Sequence, residues 1–293
     1  MQGVKLLMQM SKFERAIAAI RKNQDAYACP ICGTRMKMTK SGRFICKKEH
    51  TFDVSKKGYI NLINETKKTN YNKELFESRK EILNQGFFLP IADEINNLVR
   101  DFAVKQKLES INLLDVGCGE GYYSFHLSKE KNINLFAFDI SKEAIALATD
   151  YPAEINWCIA DLSNLPFKER SMDILLDVLT PANYKEFKRV LKNQGLLIKV
   201  IPGDEYLKEI RALVSGQLQS KGYSNKDTVE YTESHIRLLG KKKICYTMPV
   251  NSEQVMDFVK MTPMTSQVDV TGLEFSTIKE ITISMELIYG RVK

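Results

Sequence analysis

The sequence predicts an α/β fold, a mainly parallel sheet with helices on both faces, behind a small cysteine-bearing β module. Three observations predict it. Between residues 111 and 201, short apolar runs alternate with segments of helical period, the pattern of successive βα units. A glycine-rich turn, Gly117-Cys118-Gly119-Glu120-Gly121, separates the first of these runs from the helical pattern after it. Finally, Cys29, Cys32, Cys46 and His50 cluster in a stretch otherwise made of short β-like pieces and turn residues.

The elements follow in order. Residues 1–10 are mildly apolar, but Lys5 interrupts them and no small-residue cleavage site follows. They do not read as a signal peptide, and Met10 is an alternative start. Residues 11–24 have the pattern of a short amphipathic helix. Residues 64–73 have almost no apolar content and read as a linker. A helix is expected from Glu74. Ile91, Ile95, Leu98, Val99 and Phe102 mark the buried face of a second. Strands are expected over 111–116, 134–139, 156–160, 173–178 and 195–201. Helices are expected from about Tyr122, over 142–149 with Ser141 as N-cap, over 184–191 and over 205–219. Two further strands are expected at 244–248 and 280–289. The implied division is an extension (1–26), a metal module (27–63), a linker with a connecting helix (64–84) and a large domain (85–293). At 293 residues the chain is long enough for both units.

Composition excludes some functions. No apolar run approaches the roughly 20 residues of a membrane helix. The six cysteines are three grouped and three scattered. That is not a disulfide framework, and it points to a reducing, cytoplasmic compartment with one metal site. The formal net charge is +7, and residues 35–80 hold thirteen Lys and Arg against five Asp and Glu. The whole positive excess therefore lies in one N-terminal block, the footprint of a polyanionic partner.

The spacing Cys29-x2-Cys32 with Cys46-x3-His50 pairs two turns that can close on one ion. Three thiolates and an imidazole favour tetrahedral zinc, and four protein ligands leave no open position, so the site is structural. Arg35, Lys37, Lys40, Arg43, Lys47 and Lys48 lie inside the module and can neutralise phosphates. Its aromatics, Phe44, Phe52 and Tyr59, either form a small core or stack on bases.

The glycine turn takes a ligand, since glycine lets backbone approach it closely. A dinucleotide fingerprint needs a glycine at 122, where Tyr122 stands. Asp115, two residues before Gly117, would repel a pyrophosphate but suits a ligand bearing an ammonium and a sulfonium. Asp139, at the end of the second strand, can accept from both ribose hydroxyls. Asp161, beside Leu162 after the third strand, can accept from an adenine amino group.

Here the chain resembles the class I (Rossmann-like) S-adenosylmethionine methyltransferases. The likeness includes Leu165-Pro166-Phe167, Ser171-Met172-Asp173 and Arg189-Val190-Leu191-Lys192. More closely, it resembles the large-subunit ribosomal RNA methyltransferase A family. The matching motifs are the metal module, Gly58-Tyr59-Ile60-Asn61-Leu62, Leu75-Phe76-x2-Arg79, Gly86-Phe87-Phe88, Gly117 to Tyr123 and Met261-Thr262-Pro263. The resemblance implies methylation of N1 of a guanine in a hairpin of 23S ribosomal RNA. It implies a homodimer with an RNA cleft lined partly by the zinc modules, and in some members tolerance to macrolide-type antibiotics. It implies donor contacts from Phe88 and Tyr206, along with Cys118, Glu120, Gly121, Tyr122 and Ile140 of the motif regions. Residues 177–181 depart from the Tyr-Ala-Pro type of some members.

Guanine N1 carries a proton that must leave. His50 is assigned to zinc, His126 to packing, and His235 has no evident partner, so a carboxylate base is expected, with Asp177 the candidate; Thr180, a second catalytic candidate, and Pro181 stand where this fold usually lines the acceptor pocket. Two other readings remain open at this point. One is a small-molecule methyltransferase with an incidental zinc module. The other is a non-catalytic zinc RNA-binding protein.

Overall fold

The computed structural model describes residues 10–63, 73–216, 224–262, 265, 268–269 and 271–293. The expectations for residues 1–9, most of the 64–73 linker, the end of the 205–219 helix and Pro263 lie outside them.

Helix α1 (Lys12–Asn23) opens on a capping box in which the Ser11 and Glu14 side chains each satisfy the other's backbone N–H. Strands β1 (Met36–Met38), β2 (Arg43–Cys46) and β3 (Thr51–Asp53) form a small antiparallel sheet. Strand β4 (Ile60–Asn61) leaves it and pairs in parallel with β7 (Asn156–Ile159) of the large sheet. Helices α2 (Lys73–Asn84) and α3 (Leu89–Gln106) follow. Then come β5 (Ile111–Val116), α4 (Tyr122–Leu127), β6 (Ile133–Asp139), α5 (Lys142–Ala148), β7, β8 (Met172–Val178), α6 (Tyr184–Val190) and β9 (Leu191–Pro202). The chain ends with α7 (Lys208–Leu213), α8 (Lys226–His235), β10 (Ile236–Pro249), α9 (Ser252–Met261) and β11 (Glu280–Val292). The sheet order is β10-β11-β9-β8-β5-β6-β7-β4. The six strands from β9 to β4 run parallel, and β11 and β10 add an antiparallel edge.

Alternation along the central strands sends side chains to two cores. Leu113, Leu135, Ile174 and Ile198 face one, which helices α3 and α9 cover. Leu114, Phe136, Leu175 and Leu197 face the other. That second face is covered by α6, by α1 through Ala16 and Ile20, and by the cysteine module through Tyr27, Met36 and Phe44. The module therefore closes one face of the sheet.

Tyr27 is the joint. It is fully buried, with its ring 5.2 Å from Phe44, 5.6 Å from Phe136 and 5.2 Å from Phe167. Backbone bonds flank it: the Ala28 N–H donates to the Pro166 carbonyl at 3.0 Å and the Lys168 N–H to the Ala26 carbonyl at 2.9 Å. Arg189 holds the far side of that loop. Its Nη1 donates to the Phe167 carbonyl at 2.7 Å and its Nη2 to the Leu165 carbonyl at 2.8 Å, while Glu186 fixes the guanidinium.

Several expectations are corrected. The helix expected over 205–219 is confined, among the described residues, to Lys208–Leu213, because Leu207 takes a left-handed φ of 49° and starts it late. Strand β10 is far longer than 244–248. Arg237, Lys241, Lys242 and Lys243 are exposed along it, as an edge strand allows, and those charges hide the apolar alternation. Helices α8 and α9 are additions to the expected elements. The helix over 184–191 and the strand at 195 shift to meet at Leu191.

Tyr27 yields a prediction. Its buried hydroxyl has no hydrogen-bond partner among the described residues. Tyr27→Phe should therefore be neutral or stabilise by about 1 kcal/mol. Tyr27→Ala should cost about 3–5 kcal/mol in urea unfolding. A loss of more than about 1 kcal/mol in the Phe variant would contradict the placement.

Candidate active site and zinc centre

Between β5 and α4 the backbone takes three left-handed steps, at Gly117 (φ 63°), Gly119 (φ 56°) and Gly121 (φ 87°). An L side chain is disfavoured at each. The three glycines also meet different surroundings. A Cβ on Gly117 would lie 2.5 Å from Thr180 Oγ1, and one on Gly121 would lie 2.6 Å from the Trp157 ring. At Gly119 the nearest atom would be Phe76 Cε1, at 4.0 Å. Gly117 and Gly121 thus allow close packing, and Gly119 leaves space for a ligand.

The turn is fixed to the end of β6. The Cys118 N–H donates to the Phe138 carbonyl at 2.8 Å. Asp139 Oδ2 accepts from the Gly119 N–H at 3.0 Å and its Oδ1 from the Ser141 N–H at 2.8 Å. Each carboxylate oxygen keeps a further lone pair for a ligand hydroxyl. Burial raises the Asp139 pKa, and these backbone donors oppose the rise.

A cleft of about 590 Å³ opens above the turn, within the range of cofactor sites. Of the sequence-predicted donor residues, Phe88, Gly117, Gly119, Asp139, Ile140, Asp161, Leu162 and Tyr206 line it. Asp115, Cys118, Glu120, Gly121 and Tyr122 do not. Asp115 lies beneath the turn and accepts from Ser124 Oγ at 2.6 Å. Glu120 is buried against Arg79, with Oε2 3.2 Å from Nε. Cys118 and Tyr122 are core. The cleft fits a nucleoside with an amino-acid tail, since it offers carboxylates for hydroxyl and amino donors together with a backbone turn and a cation.

On the acceptor side, Thr180 lines the cleft and Asp177 does not. Asp177 is fully buried, and both its oxygens accept from Lys199 Nζ at 2.9 Å. Lys199 Nζ also donates to the Thr180 carbonyl at 2.6 Å. Desolvation pushes the Asp177 carboxyl up to about 6, against the attraction of Lys199. Leu179, between them, sits at a left-handed φ of 56°, so the lysine holds a strained turn in place. His126 packs on the Tyr122 ring at 4.5 Å. His235 does have a partner: its ring stacks on Tyr184 at 4.4 Å, and its Nδ1 is 2.8 Å from the Tyr231 carbonyl. Lys199 and Arg79 line the cleft and are not among the expected site residues. A lone lysine inside the apolar run Leu196-Leu197-Ile198-Lys199-Val200-Ile201 is the available signal, since a buried cation needs a partner.

The metal cluster is assembled. The ligand atoms of Cys29, Cys32, Cys46 and His50 lie within 4.8 Å of one another. His50 Nδ1 is 3.5 Å from Cys29 Sγ and 3.4 Å from Cys46 Sγ, and Cys32 Sγ is 3.6 Å from Cys46 Sγ. These are close to the edges, about 3.5–3.8 Å, of a tetrahedron around zinc with bonds of about 2.0–2.3 Å. Gly33, at φ 69°, turns the first ligand pair, and its N–H donates to the Cys29 carbonyl at 2.8 Å. All six predicted RNA-contacting cations are exposed, although Arg35 pairs with Asp25 and Arg43 lies 3.8 Å from Asp53. Phe44 and Tyr59 are core, not stacking surface.

Both sites can be tested. Cys46→Ala should lower bound zinc from about one per chain and destabilise the protein by several kcal/mol, on the order expected for a structural site; metal analysis beside urea unfolding checks it. Desolvation pushes the Asp115 carboxyl up to about 7, opposed by the Ser124 hydrogen bond. The folded state then holds this proton more tightly than the unfolded state. Its contribution to stability must fall as pH rises from about 4 to about 7. Asp115→Asn removes this titration, so its unfolding midpoint should fall less over that range. An unchanged slope would count against it.

Comparison with known proteins extends the picture. Residues 113–195 match the family described as a methyltransferase domain, and residues 27–70 the one described as RlmA, N-terminal, a zinc ribbon. The chain is 32% identical over 274 residues to the Bacillus subtilis (strain 168) protein named "Putative 23S rRNA (guanine-N(1)-)-methyltransferase YxjB", with 90% of this chain and 96% of that one covered. It is 25% identical over 276 residues to the Streptomyces fradiae 23S rRNA (guanine(748)-N(1))-methyltransferase, covering 91% and 97%. The Danio rerio mitochondrial arginine-hydroxylase NDUFAF5 is 32% identical over 159 residues, 50% of this chain and 46% of that one. The fold by itself therefore does not fix the reaction. The Bacillus match runs through zinc ribbon and donor-binding sheet alike, and the chain belongs to the S-adenosylmethionine-dependent 23S rRNA (guanine-N1) methyltransferase family.

Proposed function

We propose that this protein transfers a methyl group from S-adenosylmethionine to N1 of a guanine in a hairpin of 23S ribosomal RNA. One observation carries the reading: a zinc module with exposed cations is built into the wall of the donor-binding sheet. The loop after β7 links the two. Asp161 and Leu162 line the cleft, and the nearby Asn164 Nδ2 donates to the Pro30 carbonyl of the zinc turn at 2.9 Å. RNA held on the module lies beside the cleft.

When bound, S-adenosylmethionine supplies an electrophilic methyl carbon. The chain's own part is mostly positioning, which can lower the barrier by several kcal/mol. Asp139 orients the ribose, and Asp161 and Leu162 the adenine. Thr180 and Pro181 line the side where the base enters, held by Lys199 and Asp177. Asp177, enclosed with Lys199, positions that loop and does not take the N1 proton directly; that proton passes to water as the N1–CH3 bond forms and the S–CH3 bond breaks. The target base reaches the cleft from an unpaired loop or by leaving its stack. A cytoplasmic site of action and a homodimer belong to the same proposal and rest on the family resemblance. So does the division into an RNA-reading portion over 27–63 and a donor-binding portion over 85–293.

The test is transfer from labelled donor to 23S RNA lacking its own modifications, followed by nucleoside analysis. Label in 1-methylguanosine is the expected result. No label in RNA from protein that still binds S-adenosylhomocysteine would overturn it. Replacing Lys40, Lys47 and Lys48 by Ala should weaken RNA binding and reduce its salt slope by up to about 3, roughly one for each phosphate no longer neutralised. Donor affinity should stay unchanged.

A further inference from the structure

Helix α2 roofs the donor cleft. Leu75, Phe76, Arg79 and Leu83 share one face at helical spacing and all line the cavity. Phe76 stands over the turn, its Cε1 4.0 Å from where a Gly119 Cβ would be. Arg79, one turn further along, reaches the same place. Its Nε is 3.2 Å from Oε2 of Glu120, the residue that follows Gly119.

The pair is asymmetric. The Glu120 side chain is 1% exposed and that of Arg79 22%. The carboxylate is enclosed, and the guanidinium remains at the cavity wall. Among the described residues, neither Nη1 nor Nη2 donates a hydrogen bond, and Arg79 lines the cleft, so the guanidinium keeps donors for a ligand. Lys199, a second cation of the wall, differs: Asp177 and the Thr180 carbonyl take up its ammonium. Asp139 and Asp161 also line the cleft and suit donor groups, leaving Arg79 as the wall group that suits an anion.

A methyl donor carries one anionic group, the α-carboxylate of its amino-acid tail. With the nucleoside drawn to Asp139 and Asp161, the tail extends over the glycine turn toward α2. We infer that Arg79, oriented by the buried Glu120, binds that carboxylate through its remaining donors. Bidentate guanidinium–carboxylate pairing suits this group better than a point charge. The inference rests on the donor reading of the cleft. It also gives α2 a function: the helix that roofs the cleft carries the group that grips the tail.

Calorimetry with S-adenosylmethionine and its decarboxylated analogue tests this. The two ligands share nucleoside, sulfonium and ammonium and differ at the carboxylate. Wild type should prefer the carboxylate form by about 10- to 100-fold, the range of charge-assisted bonds. Arg79→Gln strands a buried carboxylate, so the double variant Arg79→Gln/Glu120→Gln, which removes both charges, is measured beside it. Either should bind the decarboxylated ligand within about 3-fold of wild type and lose the preference. Arg79→Lys should restore part of it. A preference kept in the double variant, or a parallel loss for both ligands, would overturn the inference. Wild type binding neither ligand would overturn the donor reading itself.

Discussion

The structure depends on burial of one aromatic ring. Tyr27 stands at the first residue of the zinc module and packs on Phe44 within it and on Phe136 and Phe167 of the large sheet. A zinc ribbon is too small to bury much apolar surface on its own. The metal closes its two turns, and the sheet supplies the remaining core. The exchange is mutual, since the module covers a sheet face that would otherwise be exposed. Strand β4 adds a backbone tie, pairing Ile60 with Cys158 and Asn61 with Ile159. The orientation of the basic surface relative to the donor cleft is therefore set by packing.

The loop from Asp161 to Phe167 transmits that orientation. One end lines the cleft, the middle holds the zinc turn through Asn164, and the other end packs on Tyr27. Arg189 and Glu186 fix it from behind. Across the cleft, the acceptor turn is determined just as closely. Leu179 adopts its left-handed backbone under restraint from Lys199, and Thr180 Oγ1 donates to the Gly117 carbonyl at 3.3 Å. The donor turn and the acceptor turn touch, so neither can shift without moving the other. That contact is what a methyl transfer governed by distance requires.

How much of this is legible in sequence depends on how local each feature is. The glycine turn, Asp139 and the four metal ligands are readable because chemistry and spacing coincide within a few residues. The strands of the parallel core are readable because both of their faces are apolar. The charged edge strand β10 hides its alternation. Helix α9 is short, and its start shows only in the Asn251–Gln254 capping box. Asp115 shows the limit of local reading: a carboxylate near a glycine turn suggests a ligand contact, and in the fold it is buried beneath the turn, outside the cleft lining, where Ser124, nine residues on, donates to it. Lys199, and the place of Arg79 at the cleft wall, escape notice because their partners, Asp177 and Glu120, come from distant segments. Tyr27 looks like a flank of the first cysteine until tertiary packing gives it three aromatic neighbours.

The claim that module and sheet form one body is tested most directly by native-state hydrogen exchange on the zinc-loaded protein. Amides of β2 in the module and of β7 in the sheet should open with the same free energy and the same denaturant dependence, as parts of one cooperative unit. Amides of β2 exchanging orders of magnitude faster than those of β7, with a shallow denaturant dependence of their own, would contradict it. The zinc ribbon would then be an independent attachment, and its geometry could not position RNA over the donor cleft.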